Sequence, residues 1–201
     1  NPRECLLFES LKKLAFPCLV VSVVFLFYWR TIGAYFNDND LNEFKNVFTY
    51  ADRWYINPTY WRPMWHVVNH LAIVSFGLNP LPYHLIILTL YFVFLGLLYN
   101  LYTRILEDRT VAKIALILFA TFYLHAEVVS RFVCLAELLW PLFGLSSVLL
   151  FLYFRKTERL SYYFLSIFFA LMGSLSKETA VSLPMLILSL DMARPCMIAA
   201  T

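Results

Sequence analysis

Long apolar runs constrain this chain more than any other feature of its sequence. Residues 14–36 form the first run, and no Asp, Glu, Lys or Arg occurs between Pro63 and Thr103. Hydrophobic residues make up 61% of the 201 residues and charged residues only 14%, so a soluble domain of this size cannot bury its apolar side chains. The sequence therefore predicts an all-α integral membrane protein.

Charged turns divide the apolar runs into a predicted polytopic helical bundle of about six spans. A helix needs roughly 20 residues to cross the hydrocarbon core. Asn79-Pro80-Leu81-Pro82 separates an amphipathic interfacial helix from the second span. The predicted segments are a first span at 14–36, an outer loop at 37–81 that contains the interfacial helix 64–77, and further spans at 82–104, 110–126, 132–154, 160–176 and 179–193.

Positive charges predict how the chain is oriented in the membrane. With a cytoplasmic amino terminus, most of the 16 lysine and arginine residues fall on the cytoplasmic side. The first run is too long for a cleavable signal peptide, so we expect it to act as a signal anchor. The chain begins without Met, so we expect 1–201 to be a single transmembrane module that is a fragment of a longer protein. Three polar segments then share the outer face: the loop with Asp38 and Asp40, the turn with His125 and Glu127, and the turn Lys177-Glu178.

Charge and cysteine content argue against two other classes of protein. The net charge is only +3, and the cations lie at loop ends rather than in a basic stripe, so we expect no nucleic-acid partner. Cys5, Cys18, Cys134 and Cys196 lack the spacing of a zinc site. They are expected to be unpaired small apolar residues.

Charged residues beside the apolar runs are the candidate site residues, and each has a structural alternative. An ionised carboxylate at membrane depth costs a few kcal/mol unless it lines a polar cavity or meets a partner. Asp38 and Asp40 are candidates for catalysis, but Asn37-Asp38-Asn39-Asp40 is also good helix-cap chemistry. Glu127 and Arg131 have the i, i+4 spacing of a structural ion pair.

Three further alternatives stay open. Lys177 and Glu178 are either site residues or an interfacial ion pair that holds a helix break. Glu137 either pairs with a neighbour or lines the cavity. His66 and His70 are spaced i, i+4, which suits a metal site, although on an aromatic interfacial helix they also suit the headgroup boundary.

Four motifs in order carry a family resemblance. They are Trp61-Arg62-Pro63-Met64, Gly77-Leu78-Asn79-Pro80-Leu81-Pro82-Tyr83-His84, Leu124-His125-Ala126-Glu127 and Leu175-Ser176-Lys177-Glu178-Thr179-Ala180-Val181. The chain in this respect resembles the GT-C superfamily of membrane glycosyltransferases, nearest to the branch of transmembrane-and-tetratricopeptide O-mannosyltransferases and their bacterial relatives. The resemblance covers about residues 30–194 and implies the amino-terminal half of such a membrane module. The His125-Ala126-Glu127 turn is one residue tighter than the His-x-x-Glu of that branch.

The resemblance implies a transferase that moves a sugar from a polyprenyl-phosphate carrier to an acceptor. The active face is then outside the cytosol, in the bacterial inner membrane or the endoplasmic reticulum. The role of catalytic base falls on Asp38 or Asp40, since members of the branch often have adjacent acids there. The implied substrate-binding residues are Arg62, His125, Glu127, Arg131, Lys177 and Glu178.

The chemistry of these residue types fits that reaction. A carboxylate can accept the proton that a hydroxyl loses as it attacks the anomeric carbon. The leaving phosphate is anionic, so Arg131 and Lys177 are suited to bind it. Alternatively, His125, Glu127 and an acid from the first loop hold a divalent metal, Mg or Mn.

Two hypotheses from other classes remain beside the transferase. One is a non-catalytic GT-C-like subunit that packs in a larger membrane assembly, with membrane lipids and other membrane subunits as partners. The other is a transporter fragment with helices broken near residues 126 and 177. No inverted repeat is visible in the sequence, which ranks the transporter last.

Overall fold

A computed structural model of the chain describes residues 2–49, 61–106 and 108–198, and every regular element within them is helical. The prediction of an all-α protein is confirmed for these residues. The α-helices are α1 (Pro2–Ile32), α2 (Asp38–Thr49), α3 (Pro63–Phe76), α4 (Pro80–Ile105), α5 (Arg109–Ala120), α6 (His125–Ser130), α7 (Leu135–Thr157), α8 (Leu160–Ser176) and α9 (Leu183–Ile198). Short 3-10 helices at Phe132–Cys134 and Glu178–Ser182 lead into α7 and α9.

Among the described residues, 3 helical stretches are long and apolar enough to cross a membrane. They are Leu14–Ile32, Pro80–Ile105 and Phe132–Thr157. Their length and composition suggest a membrane protein, as the sequence predicts. Leu160–Ser176 and Glu178–Ser189 are apolar but shorter, so a total of about six spans stays a prediction.

Two segments differ from their sequence-based description. The first loop contains α2, whereas the sequence indicated only turn or cap chemistry there; residues 50–60 of the same loop lie outside the described residues. The helix predicted at 110–126 is interrupted, because α5 ends at Ala120 and α6 begins at His125. The hydroxyls of Tyr28 and Tyr91 donate to the carbonyl oxygen of Ala120 at 3.4 Å and 3.2 Å. That carbonyl is the acceptor that the next helical turn would need.

Local chemistry sets the other helix ends. Asp108 precedes α5, and its side chain accepts a hydrogen bond from the Thr110 N–H at 2.6 Å. Helix α3 has Pro63 in its first turn and ends at Gly77, whose φ of 57° suits glycine. Helix α7 ends at Glu158 in the left-handed conformation, with the Glu158 N–H donating to the Phe154 carbonyl at 2.7 Å.

The described helices belong to two compact units. The first unit comprises residues 1–35 and 80–132, in which α1 and α4 contact each other and each also contacts α5 and α6. Val24, Ile87 and Leu116 are buried in its core. The ring nitrogen Nε2 of His84, a buried side chain near the start of α4, lies 3.1 Å from the carbonyl oxygen of Ala34 after α1.

The second unit comprises residues 36–79 and 133–201 and is organised around the helical hairpin of α7 and α8. Ser147 and Ser166 join the two helices, because the hydroxyl of each donates to the backbone carbonyl of the other at 2.8 Å and 2.9 Å. Small side chains let helices approach closely in an apolar setting. Helix α3 packs against both α7 and α8, and α2 packs against α3.

Gly144 in α7 provides a test of this packing. A Cβ atom at Gly144 would lie 2.6 Å from Cδ2 of Leu183, which is itself buried. We therefore expect Gly144→Val to lower the free energy of unfolding by about 1–3 kcal/mol through overpacking. Thermal unfolding in detergent, followed by circular dichroism, measures the effect.

The matched control is Gly96→Val in α4, where an added Cβ meets no described atom within 4 Å. Both variants replace a helical glycine with the same side chain. Equal melting temperatures for the two would show that Leu183 moves aside at little cost.

Candidate functional site

A cluster of charged side chains lies in the second unit, and we call it the polar cluster. Its members are Asp40, Arg62, Glu137, Lys177 and Glu178. They come from four separate places in the chain. Two ion pairs join four of them, and Asp40 accepts a backbone N–H from Val133, four residues before Glu137.

Asp40 is buried and holds two backbone segments. Its Oδ2 accepts the N–H of Asn37 at 3.2 Å, while Oδ1 of Asn37 accepts the N–H of Asp40 at 2.9 Å. This reciprocal pair is a capping box at the start of α2. Oδ1 of Asp40 also accepts the N–H of Val133 at 2.7 Å. Asp40 is only 3% exposed. The helix-cap role, which the sequence analysis gives as the alternative to catalysis, therefore describes Asp40.

Asp38 differs from Asp40 although it lies only two residues away. It is the first residue of α2, and its side chain is exposed. An exposed carboxylate at a helix start can meet a substrate hydroxyl without breaking a structural hydrogen bond. Accessibility therefore separates the two acids that the sequence left equivalent.

Arg62 and Glu178 form a forked ion pair. Nε of Arg62 donates to both carboxylate oxygens of Glu178 at 3.0 Å and 3.1 Å, and Nη2 donates to Oε2 at 2.8 Å. The Glu178 side chain is 48% exposed and that of Arg62 is 23% exposed. Hydrogen bonds from Arg62 are the main reason that the pKa of Glu178 lies below its usual value, so Glu178 is a carboxylate at neutral pH.

Lys177 pairs with Glu137 rather than with its neighbour Glu178. The Lys177 ammonium nitrogen contacts Oε1 of Glu137 in the first turn of α7. Of the two alternatives left open for Lys177 and Glu178, the ion pair with each other is therefore not the one that the structure shows; their closest charged partners are Glu137 and Arg62. The backbone between them is the reason: Lys177 is extended and Glu178 begins a 3-10 helix, so the two side chains meet different helices. The open question about Glu137 is settled in favour of a charged partner.

The polar cluster joins the amino-terminal ends of several helices. Asp40 lies in the first turn of α2, Glu137 lies in the first turn of α7, and Arg62 directly precedes α3. Lys177 directly precedes the 3-10 helix at Glu178–Ser182. Helix amino termini carry partial positive charge and free N–H groups. These ends help to balance the carboxylates, which outnumber the two cations of the cluster.

Glu127 and Arg131 lie in the first unit and form an ion pair with each other. Nη1 of Arg131 and Oε1 of Glu127 are 2.5 Å apart across one turn of helix, with side chains 42% and 61% exposed. The structural ion pair that the i, i+4 spacing suggests is therefore the contact that the structure shows. Exposed pairs of this kind contribute about 0.3–0.5 kcal/mol. Their substrate-binding roles stay predictions.

His125 also lies in the first unit, within a group of aromatic rings. Its ring centroid is 4.4 Å from that of Phe119 and 5.9 Å from that of Phe122. The hydroxyl of Tyr91 lies 3.4 Å from Nδ1 of His125. Its binding role stays a prediction.

The residues considered for a metal site are engaged elsewhere. No group of three or more His, Cys, Asp or Glu side chains that could hold a metal occurs in the described ranges. His70 is exposed, whereas the ring of His66 meets that of Trp65 edge to face, with centroids 4.8 Å apart. Burial, and then the charge of Arg62, lower the pKa of His66. The possible Mg or Mn site therefore stays a prediction.

Glu43 is a candidate that sequence reasoning did not select. It follows Asp40 by three residues in α2 and is buried. Burial raises the pKa of Glu43, and a hydrogen bond with Asn46 opposes that shift. The sequence signal for such a residue is the amphipathic pattern of α2, which also buries Phe44.

These observations place the chain among helical proteins with apolar segments of membrane-spanning length. Comparison with known proteins adds no closer assignment: no protein-family model matches the chain, and neither the curated proteins nor the solved structures contain a significant match.

Removal of the Asp40 carboxylate is expected to destabilise the fold. Asp40→Ala leaves the N–H groups of Asn37 and Val133 without their acceptor, so the free energy of unfolding should fall by about 1–3 kcal/mol. Asp38→Ala, in the same helical turn, should cost less than about 1 kcal/mol. Thermal unfolding of both variants measures the difference. Equal losses would contradict the structural role of Asp40.

The Arg62–Glu178 pair should make stability depend on pH in the acid range. The folded pKa of Glu178 lies below its usual 4.5, so its stabilisation is fully present above pH 4.5 and is lost as the pH falls through the folded pKa. The side chain is half exposed, which limits the contribution to less than about 1 kcal/mol. Wild type should therefore melt above Glu178→Gln at pH 7, with the gap closing in acid. A gap that persists unchanged at pH 3 would contradict this origin.

Proposed function

We propose that the chain is the amino-terminal part of a GT-C-like membrane glycosyltransferase that uses a polyprenyl-phosphate-linked sugar. One observation carries the proposal: in the second unit Arg62 forms a forked ion pair with Glu178 and Lys177 pairs with Glu137, and the same unit presents Asp38 as an exposed acid at the start of α2. Arg62, Lys177 and Glu178 belong to two of the quoted motifs. The Arg62–Glu178 ion pair joins these two motifs, which supports the proposal.

Asp38 is the proposed catalytic base. As the acceptor hydroxyl oxygen bonds to the anomeric carbon, its proton passes to the Asp38 carboxylate. The bond between the anomeric carbon and the phosphate oxygen breaks at the same time, and polyprenyl phosphate leaves. Asp40 is proposed as a positioning residue, because its two carboxylate oxygens already accept backbone N–H groups.

Arg62 is the proposed ligand of the leaving phosphate. Its Nε and Nη2 already donate in parallel to Oε1 and Oε2 of Glu178, and phosphate accepts the same fork. The helix amino termini around the polar cluster favour an anion further. Lys177, which is only 16% exposed, contributes a fixed positive charge and keeps Glu137 neutralised. The roles suggested for His125, Glu127 and Arg131 belong to the same proposal but rest on the sequence alone.

The proposal also includes the finer points of topology. About six spans, a cytoplasmic amino terminus and an active face outside the cytosol follow from the apolar runs and from the distribution of cations. Either the bacterial inner membrane or the endoplasmic reticulum suits a polyprenyl-phosphate donor. These points rest on sequence pattern rather than on contacts.

A non-catalytic subunit of a membrane assembly is the second candidate. The observation in its favour is that both cations of the polar cluster are already paired with carboxylates. A set of charges that is satisfied internally stabilises a scaffold without any substrate. Such a chain would keep its fold and its partners when the acids of α2 are neutralised.

Substitution of the two acids separates the candidates. In a transfer assay with radiolabelled polyprenyl-phosphate mannose and total membrane protein as acceptor, Asp38→Asn should lower transfer about 10²- to 10⁴-fold, as expected for a lost general base. Asp40→Asn should lower stability, with transfer per folded molecule closer to wild type. Circular dichroism and gel filtration of both variants establish the folded fraction.

Other results with these variants would change the assignment of the base. Loss of transfer in Asp40→Asn alone, with a folded protein, would move the base to Asp40. Full transfer by the Asp38→Asn, Asp40→Asn double variant would exclude both acids and favour the scaffold.

A further inference from the structure

An open apolar groove lies in the first unit, whereas the polar cluster belongs to the second. It has a volume of about 560 Å³ and is formed by α1, α4 and α5. Its apolar walls include Phe16, Val20, Phe92, Leu95, Tyr99 and Leu116. The volume falls within the usual range of sites for small ligands, about 300–1,000 Å³.

Two cations lie at one end of this groove. Arg109 and Lys113 line it from the first turns of α5, one helical turn apart. Lys113 places its ammonium nitrogen 5.3 Å from the ring centroid of Phe16. Among the side chains that the structure describes, neither cation forms an ion pair. Like charges at i, i+4 repel each other, so an anion between them would be stabilising.

The groove occupies a defined depth along its helices. Helices α1 and α4 supply two of the membrane-length stretches, Leu14–Ile32 and Pro80–Ile105. Phe16 is near the start of the first stretch, and Tyr99 is near the end of the second. The cations therefore lie where helices leave the hydrocarbon, while the apolar walls run inward from them. A lipid with its headgroup at the interface has the same order of polar and apolar parts.

We propose that this groove binds an anionic glycerophospholipid of the surrounding membrane. Its phosphate lies between Arg109 and Lys113, and one acyl chain follows the apolar walls. The proposal is independent of glycosyl transfer. Asp108, next to Arg109, directs its side chain to the Thr110 N–H, which leaves the cations to the lipid.

The position of the groove favours a phospholipid over a polyprenyl phosphate. Within the first unit, the His84–Ala34 contact marks the opposite ends of α1 and α4. The groove thus opens at the ends of these helices that the positive-inside rule assigns to the cytoplasmic leaflet, where anionic phospholipids are abundant. The proposed transfer reaction needs its donor on the other face.

Native mass spectrometry of the full chain, released from detergent with added lipid, tests the proposal. Phosphatidylserine and phosphatidylcholine with identical acyl chains are supplied at equal concentration. We expect wild type to retain one phosphatidylserine in preference to phosphatidylcholine. The Arg109→Gln, Lys113→Gln double variant should lose about tenfold or more of that preference, since each interfacial cation favours an anionic lipid.

Two single variants distinguish lipid binding in the groove from a general effect of positive charge. Arg104→Gln removes a cation of the same region that does not line the groove, and it should leave the preference unchanged. Gly96→Leu fills the groove, because an added Cβ there meets no described atom within 4 Å. It should reduce retention of phosphatidylserine while the melting temperature stays near that of wild type.

Three results would overturn the proposal. Equal retention of the two phospholipids would remove the role of charge. An Arg104→Gln effect as large as that of the double variant would place the lipid outside the groove. Displacement of phosphatidylserine by an equal concentration of polyprenyl phosphate would make the carrier lipid the occupant instead.

Discussion

The second unit depends on the pairing of charges at the starts of its helices. A helix start leaves N–H groups without partners, and an unpaired charge beside an apolar bundle is costly. Asp40 meets the first requirement by accepting the N–H groups of Asn37 and Val133. Arg62 with Glu178, and Lys177 with Glu137, meet the second. Apart from the local bond between Asn37 and Asp40, these contacts join segments that are distant in sequence, so they help to fix how the helices of this unit meet.

Much of the helical fold follows from the apolar pattern, and the interruptions do not. The uncharged stretch after Pro63 predicts helices and their division near Asn79-Pro80, as found for α3 and α4. At the end of α5, the carbonyl of Ala120 accepts hydrogen bonds from the hydroxyls of Tyr28 and Tyr91, which belong to other helices. A pattern of local hydrophobicity carries no information about such a partner.

The candidate site, too, could be predicted only in part from the sequence. Residue type and position are enough to select Lys177 and Glu178 as candidates, because charges beside apolar runs are uncommon, whereas Arg62 was selected through the family resemblance. Their partners were not predictable, since Glu178 meets Arg62 across 116 positions and Lys177 meets Glu137 across 40. Nothing in the sequence distinguishes Asp38 from Asp40 as the candidate base. Burial makes that distinction, and burial is a property of the packed helices.

The two ion pairs of the cluster differ in how readily they can exchange partners. Glu178 is about half exposed, so water can replace Arg62 as its partner at small cost when an anion takes the guanidinium. Lys177 is mostly buried, and loss of Glu137 would leave its charge without compensation. Arg62 is therefore the cation that can turn toward a phosphate, whereas Lys177 keeps its partner and sets the local potential. A transferase and a scaffold share this arrangement; they differ in whether an anion ever takes the place of Glu178.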